Sequence, residues 1–153
     1  EDIDSFVSKL GEIGERYGVA VQALDARYVV GPEHLETAVR LANRAVERGE
    51  AIADDRAVEI LCFAAGRRQI NRAMAMGVEE GEVPVVVVVD GDGEEGGAVE
   101  AVEELLEGAP TLGEYDEARV REFFDVSDPE LEAAEGDLAG IVRERVALLV
   151  VNR

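Results

Sequence analysis

One cysteine, one histidine, one lysine and no tryptophan occur in a chain of 153 residues, and each scarcity removes a class of function. Cys62 has no partner for an internal disulfide. Within the apolar run Ile60-Leu61-Cys62-Phe63-Ala64-Ala65 it reads as a small core residue of a reducing cytoplasm, not a nucleophile. With His34 and Cys62 standing alone, the usual histidine and cysteine zinc sets cannot be assembled, so no metal and no cofactor are expected. The three serines, Ser5, Ser8 and Ser127, lie in no nucleophile elbow, and His34 has no serine, cysteine or second histidine beside it. An enzyme in its own right is not expected. The longest uniform apolar run, Val85 to Val89, is too short to span a bilayer, and the acidic opening residues do not resemble a secretory leader. The expectation is a cytoplasmic protein with no membrane contact.

What is abundant is acid. Thirty-five Asp and Glu face fifteen Lys and Arg, for a formal charge of -20, while 47% of the residues are apolar. That apolar share lies above the range of acidic disordered chains and predicts one folded domain over residues 1–153. Lys9 stands beside fourteen arginines. Dense carboxylate with almost no lysine fits best a protein kept soluble in strong brine; the rival reading is an acidic surface evolved for a basic partner. A nucleic-acid binder acting through its overall field is excluded.

The apolar pattern predicts a mixed α/β fold, a small and mostly antiparallel sheet of about four strands surrounded by helices, in the order β-β-α-α-α-β-α-α-α-β. Tyr17 to Asp25 alternates Val19, Val21 and Ala23 as a first strand, and Tyr28-Val29-Val30 reads as a second. Pro32 opens a helix whose stripe is Leu35, Ala38, Val39, Ala42, Ala45 and Val46. Asp54 and Asp55 start the next; residues 57–65 read as helix or strand, the alanines favouring helix. Arg67 to Met76 forms a short helix with Ile70, Ala73 and Met74 inward, and the valine run from Pro84 to Val89 a central strand covered on both faces. Helices follow over 98–107, closed by Gly108 and Pro110, over 116–124, and from Asp128-Pro129 toward Arg145. Val146 to Val151 is the closing strand.

Asp90-Gly91-Asp92-Gly93-Glu94-Glu95-Gly96 has the glycine spacing of a dinucleotide loop, but its carboxylates stand where a pyrophosphate would sit, and its positions match a calcium loop only at Asp90 and Asp92. A solvated loop is expected. The arginines are more informative. Residues 1–39 carry three basic and eight acidic groups, residues 40–72 seven and five, and residues 73–153 five and twenty-two. Only the middle stretch has a net positive charge. In it Arg40, Arg44 and Arg48 recur at helical spacing, with ion pairing to Glu36 and Glu47 as the ordinary explanation. In Gly66-Arg67-Arg68-Gln69-Ile70-Asn71-Arg72 the arginines have no acid between Glu59 and Glu79.

Three segments, Val30-Gly31-Pro32-Glu33-His34-Leu35, Glu59 to Ile70 and Glu144-Arg145-Val146-Ala147-Leu148-Leu149, resemble in order and spacing the small KEOPS subunit family that includes the p53-related protein kinase binding protein, TPRKB. The similarity runs from about Val19 to Val151. It implies a noncatalytic subunit of the complex that makes N6-threonylcarbamoyladenosine in tRNA, binding the small atypical kinase/ATPase subunit and holding the single-stranded 3′ CCA end of tRNA. The family's Gly-x-Arg-Gln-Ile pattern falls on Gly66, Arg68, Gln69 and Ile70; with Arg67 and Arg72 of the same cluster these make the expected RNA-binding site, the three arginines contacting phosphate or stacking on bases and Gln69 reading a base edge. Near absence of lysine is the departure from relatives of dilute cytoplasm. The alternative is a protein-interaction adaptor for a kinase-like partner without RNA contact.

Overall fold

The computed structural model describes residues 3–78, 84–105 and 115–151. In these residues the chain runs α1 (Ile3–Tyr17), β1 (Ala20–Asp25), α2 (Pro32–Glu47), α3 (Arg56–Ala65), α4 (Ile70–Ala73), β2 (Val85–Asp90), α5 (Glu95–Leu105), α6 (Glu117–Phe123), α7 (Asp128–Ala133) and α8 (Leu138–Val151). The two strands pair antiparallel, with Ala20 opposite Asp90 and Asp25 opposite Val85. Side chains alternate across a strand, so this ribbon divides two apolar layers. Val87 and Val89 join Val21 and Ala23 against Phe6 and Leu10 of α1 and Val102 of α5. Val86 and Val88 join Leu24 against the larger core, in which α2, α3, α6 and α8 meet through Leu35, Ile60, Leu61, Val120, Val142 and Val146. The valine run is covered on both faces as its composition predicts, but in the described residues it is half of a two-stranded ribbon and not the centre of a four-stranded sheet.

The antiparallel sheet, α2, the helical form of residues 57–65 and α6 stand as expected; four readings are corrected. Residues Ile3–Tyr17 form a helix that the apolar pattern does not announce. Phe6, Leu10 and Ile13 place one apolar face on the ribbon, but Gly11 and Gly14 dilute the helical signal. Tyr28-Val29-Val30 is not a strand. Asp25 accepts a hydrogen bond from the Arg27 amide at 3.0 Å and turns the chain into a single 3-10 turn, Ala26–Tyr28, and the Val30 amide donates to His34 Nδ1 at 3.2 Å instead of to a neighbouring strand. The helix from Asp128 stops at Ala133, because Glu135 and Gly136 adopt φ of 58° and 80°. Val146 to Val151 then belongs to α8, not to a closing strand. Val142, Val146 and Leu149 are buried at helical spacing, so α8 keeps its turn to the end and packs on α2 and α3. Gly108 and Pro110, the expected end of α5, lie outside the described residues.

Candidate functional site

Helix α3 delivers the arginine-bearing segment. Asp55 caps its first turn by accepting from the Ala57 amide at 2.9 Å, and residues Glu59 to Ala65 are buried throughout. The helix ends at Gly66 with φ 63°, a left-handed cap. A Cβ at this position would lie 3.3 Å from the Arg145 carbonyl oxygen, so both the backbone turn and the close approach of α8 favour glycine. The chain therefore leaves the core abruptly after Ala65 and reaches the surface within a few residues.

The six residues singled out from the sequence do not share one environment. Gly66 is the hinge of the turn. The guanidinium of Arg67 lies 4.8 Å from the centre of the Phe123 ring and donates to the Phe123 carbonyl oxygen, which ties the turn to α6. Arg68 is half-buried, and with Arg44 and Arg48 of α2, Phe63, Leu149 and Val150 it lines a recess of about 20 Å³. Gln69, Ile70 and Arg72 are exposed on and beside α4. Ile70 and Met74, expected inward, are 41% and 55% exposed, whereas Ala73 is buried. A single-turn helix can turn only one side inward, and the small Ala73 occupies it. The exposed surface thus combines a cation, an amide and two apolar side chains.

Segments distant in sequence hold this turn in place. His34, at the start of α2, is fully buried between the Val30 amide, which donates to Nδ1, and the Ala64 carbonyl oxygen, 2.8 Å from Nε2. That pair of partners requires the neutral tautomer with its proton on Nε2. Burial lowers its pKa, the Ala64 carbonyl opposes that, and the charge of Arg143 lowers it further, leaving the net shift downward. Arg145 of α8 donates from Nε to the Phe124 carbonyl oxygen at 3.1 Å and pairs with Glu130 at 2.7 Å. The three segments that carry the family resemblance therefore meet at one place: His34 on Ala64, and Arg145 against Gly66.

Four other side chains are accounted for by structure. Glu59, fully buried, accepts from the amides of Ile52 and Ala53 at 2.9 and 2.7 Å and fixes the loop before α3. Burial, with the charge of Glu59, pushes the Cys62 thiol up to about 11, so it stays protonated at neutral pH. In the loop after β2, the Glu95 carboxylate accepts from the Gly91 amide at 2.8 Å, occupying a donor that a phosphate cradle would need. Asp90 accepts from Asn43 at 2.9 Å and Arg56 at 2.7 Å. Burial alone would raise its pKa, but these bonds and the Arg56 charge outweigh burial and hold it below the ordinary value. Among the described residues no group of three or more histidine, cysteine, aspartate or glutamate side chains is placed to hold a metal ion, and no helix is long and apolar enough to cross a membrane.

Comparison with curated proteins finds no match. A family model described as kinase binding protein CGI-121 matches residues 6–149, and the chain belongs to that family.

Proposed function

We propose that this member of the kinase-binding CGI-121 family is a noncatalytic accessory subunit of the KEOPS tRNA N6-threonylcarbamoyladenosine complex, binding its small kinase/ATPase subunit and recruiting tRNA by its 3′ CCA end. The observation that carries the RNA half is the exposed surface of Gln69, Ile70 and Arg72 beside half-buried Arg68, in the one stretch of a chain of charge -20 with a net positive charge. Unstacked bases of a single strand can pack on apolar side chains and guanidinium planes and be read on their edges, and this surface offers each partner. Arg68 and Arg72 meet phosphate or stack, Gln69 reads a base edge, and Ile70 with Met74 supplies the apolar floor. Arg67 acts by holding the turn against Phe123.

In strong brine, which the acid-rich and lysine-poor composition fits, salt constrains how such a site works. Two cations, Arg68 and Arg72, on two phosphates of a single strand give a salt slope of roughly -1.4, so a twentyfold rise in salt weakens binding on the order of 70-fold. Stacking, at about 1 to 3 kcal/mol per base, is less sensitive, and arginine supplies planar faces that lysine lacks.

A gel shift with tRNA bearing or lacking its CCA end is the test. Tighter binding of the intact tRNA is expected, and equal weak binding of both would remove the RNA site. The Arg68→Ala protein should lose tRNA affinity and still capture the kinase subunit. The family description by itself supports the second reading, an adaptor that touches the kinase alone; that reading predicts no CCA dependence.

A further inference from the structure

We propose that Arg40, Arg44 and Arg48 on the exposed face of α2 form a phosphate track that carries the RNA strand toward the 66–72 turn. This rests on the RNA reading above. The three arginines fall at i, i+4 and i+8 of the helix Pro32–Glu47 and its cap, all exposed, and none forms an ion pair among the described residues. The ordinary explanation, pairing with Glu36 and Glu47, is therefore not what the structure shows. Like charges at this spacing repel and weaken a helix. The helix dipole compensates cations only in the last turn, which leaves Arg40 without that support. Successive guanidinium groups on one helix face step by about 6 Å along the axis, a spacing that an extended polyanion can follow one charge at a time.

Continuity with the turn identifies the occupant. Arg44, Arg48 and Arg68 line one recess together with Glu50, so the α2 face and the turn form one surface on which three cations face one carboxylate. The backbone of a single strand lying along α2 would arrive at Arg68, with its terminal bases over Gln69, Ile70 and Arg72.

The experiment compares the full chain with its R44Q/R48Q variant, binding intact tRNA and tRNA lacking CCA over a potassium chloride series. Glutamine keeps helix propensity, and circular dichroism with a melting curve verifies the fold. The variant is expected to bind intact tRNA on the order of tenfold more weakly, with a log–log salt slope shallower by about 1.4 and CCA discrimination retained. An unchanged slope, with the wild type still discriminating CCA, overturns the track and leaves the turn as the site. Loss of kinase-subunit capture with unchanged tRNA binding overturns it in favour of a protein surface. A wild type that binds both tRNAs equally removes the underlying site and the track with it.

Discussion

The arginines of the two halves of the molecule are used differently. In the acidic C-terminal half Arg119 pairs with Asp116, Arg121 with Asp128, Arg143 with Glu33 and Arg145 with Glu130, so each described cation there has a carboxylate. On the α2–α4 side Arg40, Arg44, Arg48 and Arg72 have no ion pair among the described residues, though the chain holds more than twice as many acids as bases. Scarcity of carboxylate does not explain that contrast, since Glu36 and Glu47 share α2 with the first three. Net charge over a stretch is a weaker guide than whether each charge is already matched. The same standard separates Arg56, held by Asp90, and Arg67, held by Phe123, from Arg40, Arg44, Arg48 and Arg72.

The contrast can be broken most severely at Glu59, the buried acid of the positive stretch. Glu59→Ala leaves the Ile52 and Ala53 amides without their acceptor and should destabilise the fold by roughly 3 kcal/mol in denaturant titration. A near-neutral result would mean that the loop before α3, and with it the presentation of the turn, is held some other way.

His34 gives the next effect. Its folded pKa is lowered, so the unfolded chain binds the proton first, and stability is fully present above the unfolded value near 6.5 and is lost as pH falls below it. The expected loss is about 1.4 kcal/mol per pH unit until the folded form also titrates. His34→Gln should remove that part of the slope between pH 6.5 and 5, measured as wild type minus variant; an identical slope in both would show that His34 is not held neutral. Asp90 acts in a separate window: its pKa is lowered, so its contribution is present above about pH 4 and is lost below it.

The smallest change in stability is expected from the unmatched cations. Arg72→Ala should leave the unfolding free energy within about 0.5 kcal/mol of wild type, while Arg119→Ala, which loses Asp116, should cost up to about 1 kcal/mol. Stabilities in the reverse order would erase the distinction between matched and unmatched arginines.

The parts of the fold legible in the sequence were those with a local cause. Pro32 and the stripe behind it mark α2, Asp55 and Asp116 mark the starts of α3 and α6, and the double-sided valine run marks a strand covered on both faces. Elsewhere tertiary contacts decide. Residues 146–151 have the composition of a strand, but α8 enters them already helical and Val146 and Leu149 complete its buried face. Val30 has a side-chain acceptor, His34, that no strand pattern reveals. At the turn, the arginine cluster was readable, but its division into a hinge, a tether and a presented surface was not. That division depends on Phe123 and Arg145, which are remote in sequence.

If the proposed RNA binding is governed by the location of the cations and not by total charge, a charge-matched pair of variants shows it most directly. R68A/R72A and R119A/R121A each remove two positive charges, one pair from the presented turn and one from matched positions on α6. CCA-dependent tRNA affinity should fall tenfold or more in the first and stay within about twofold of wild type in the second. Equal losses from both variants would show binding through the overall field and contradict the account.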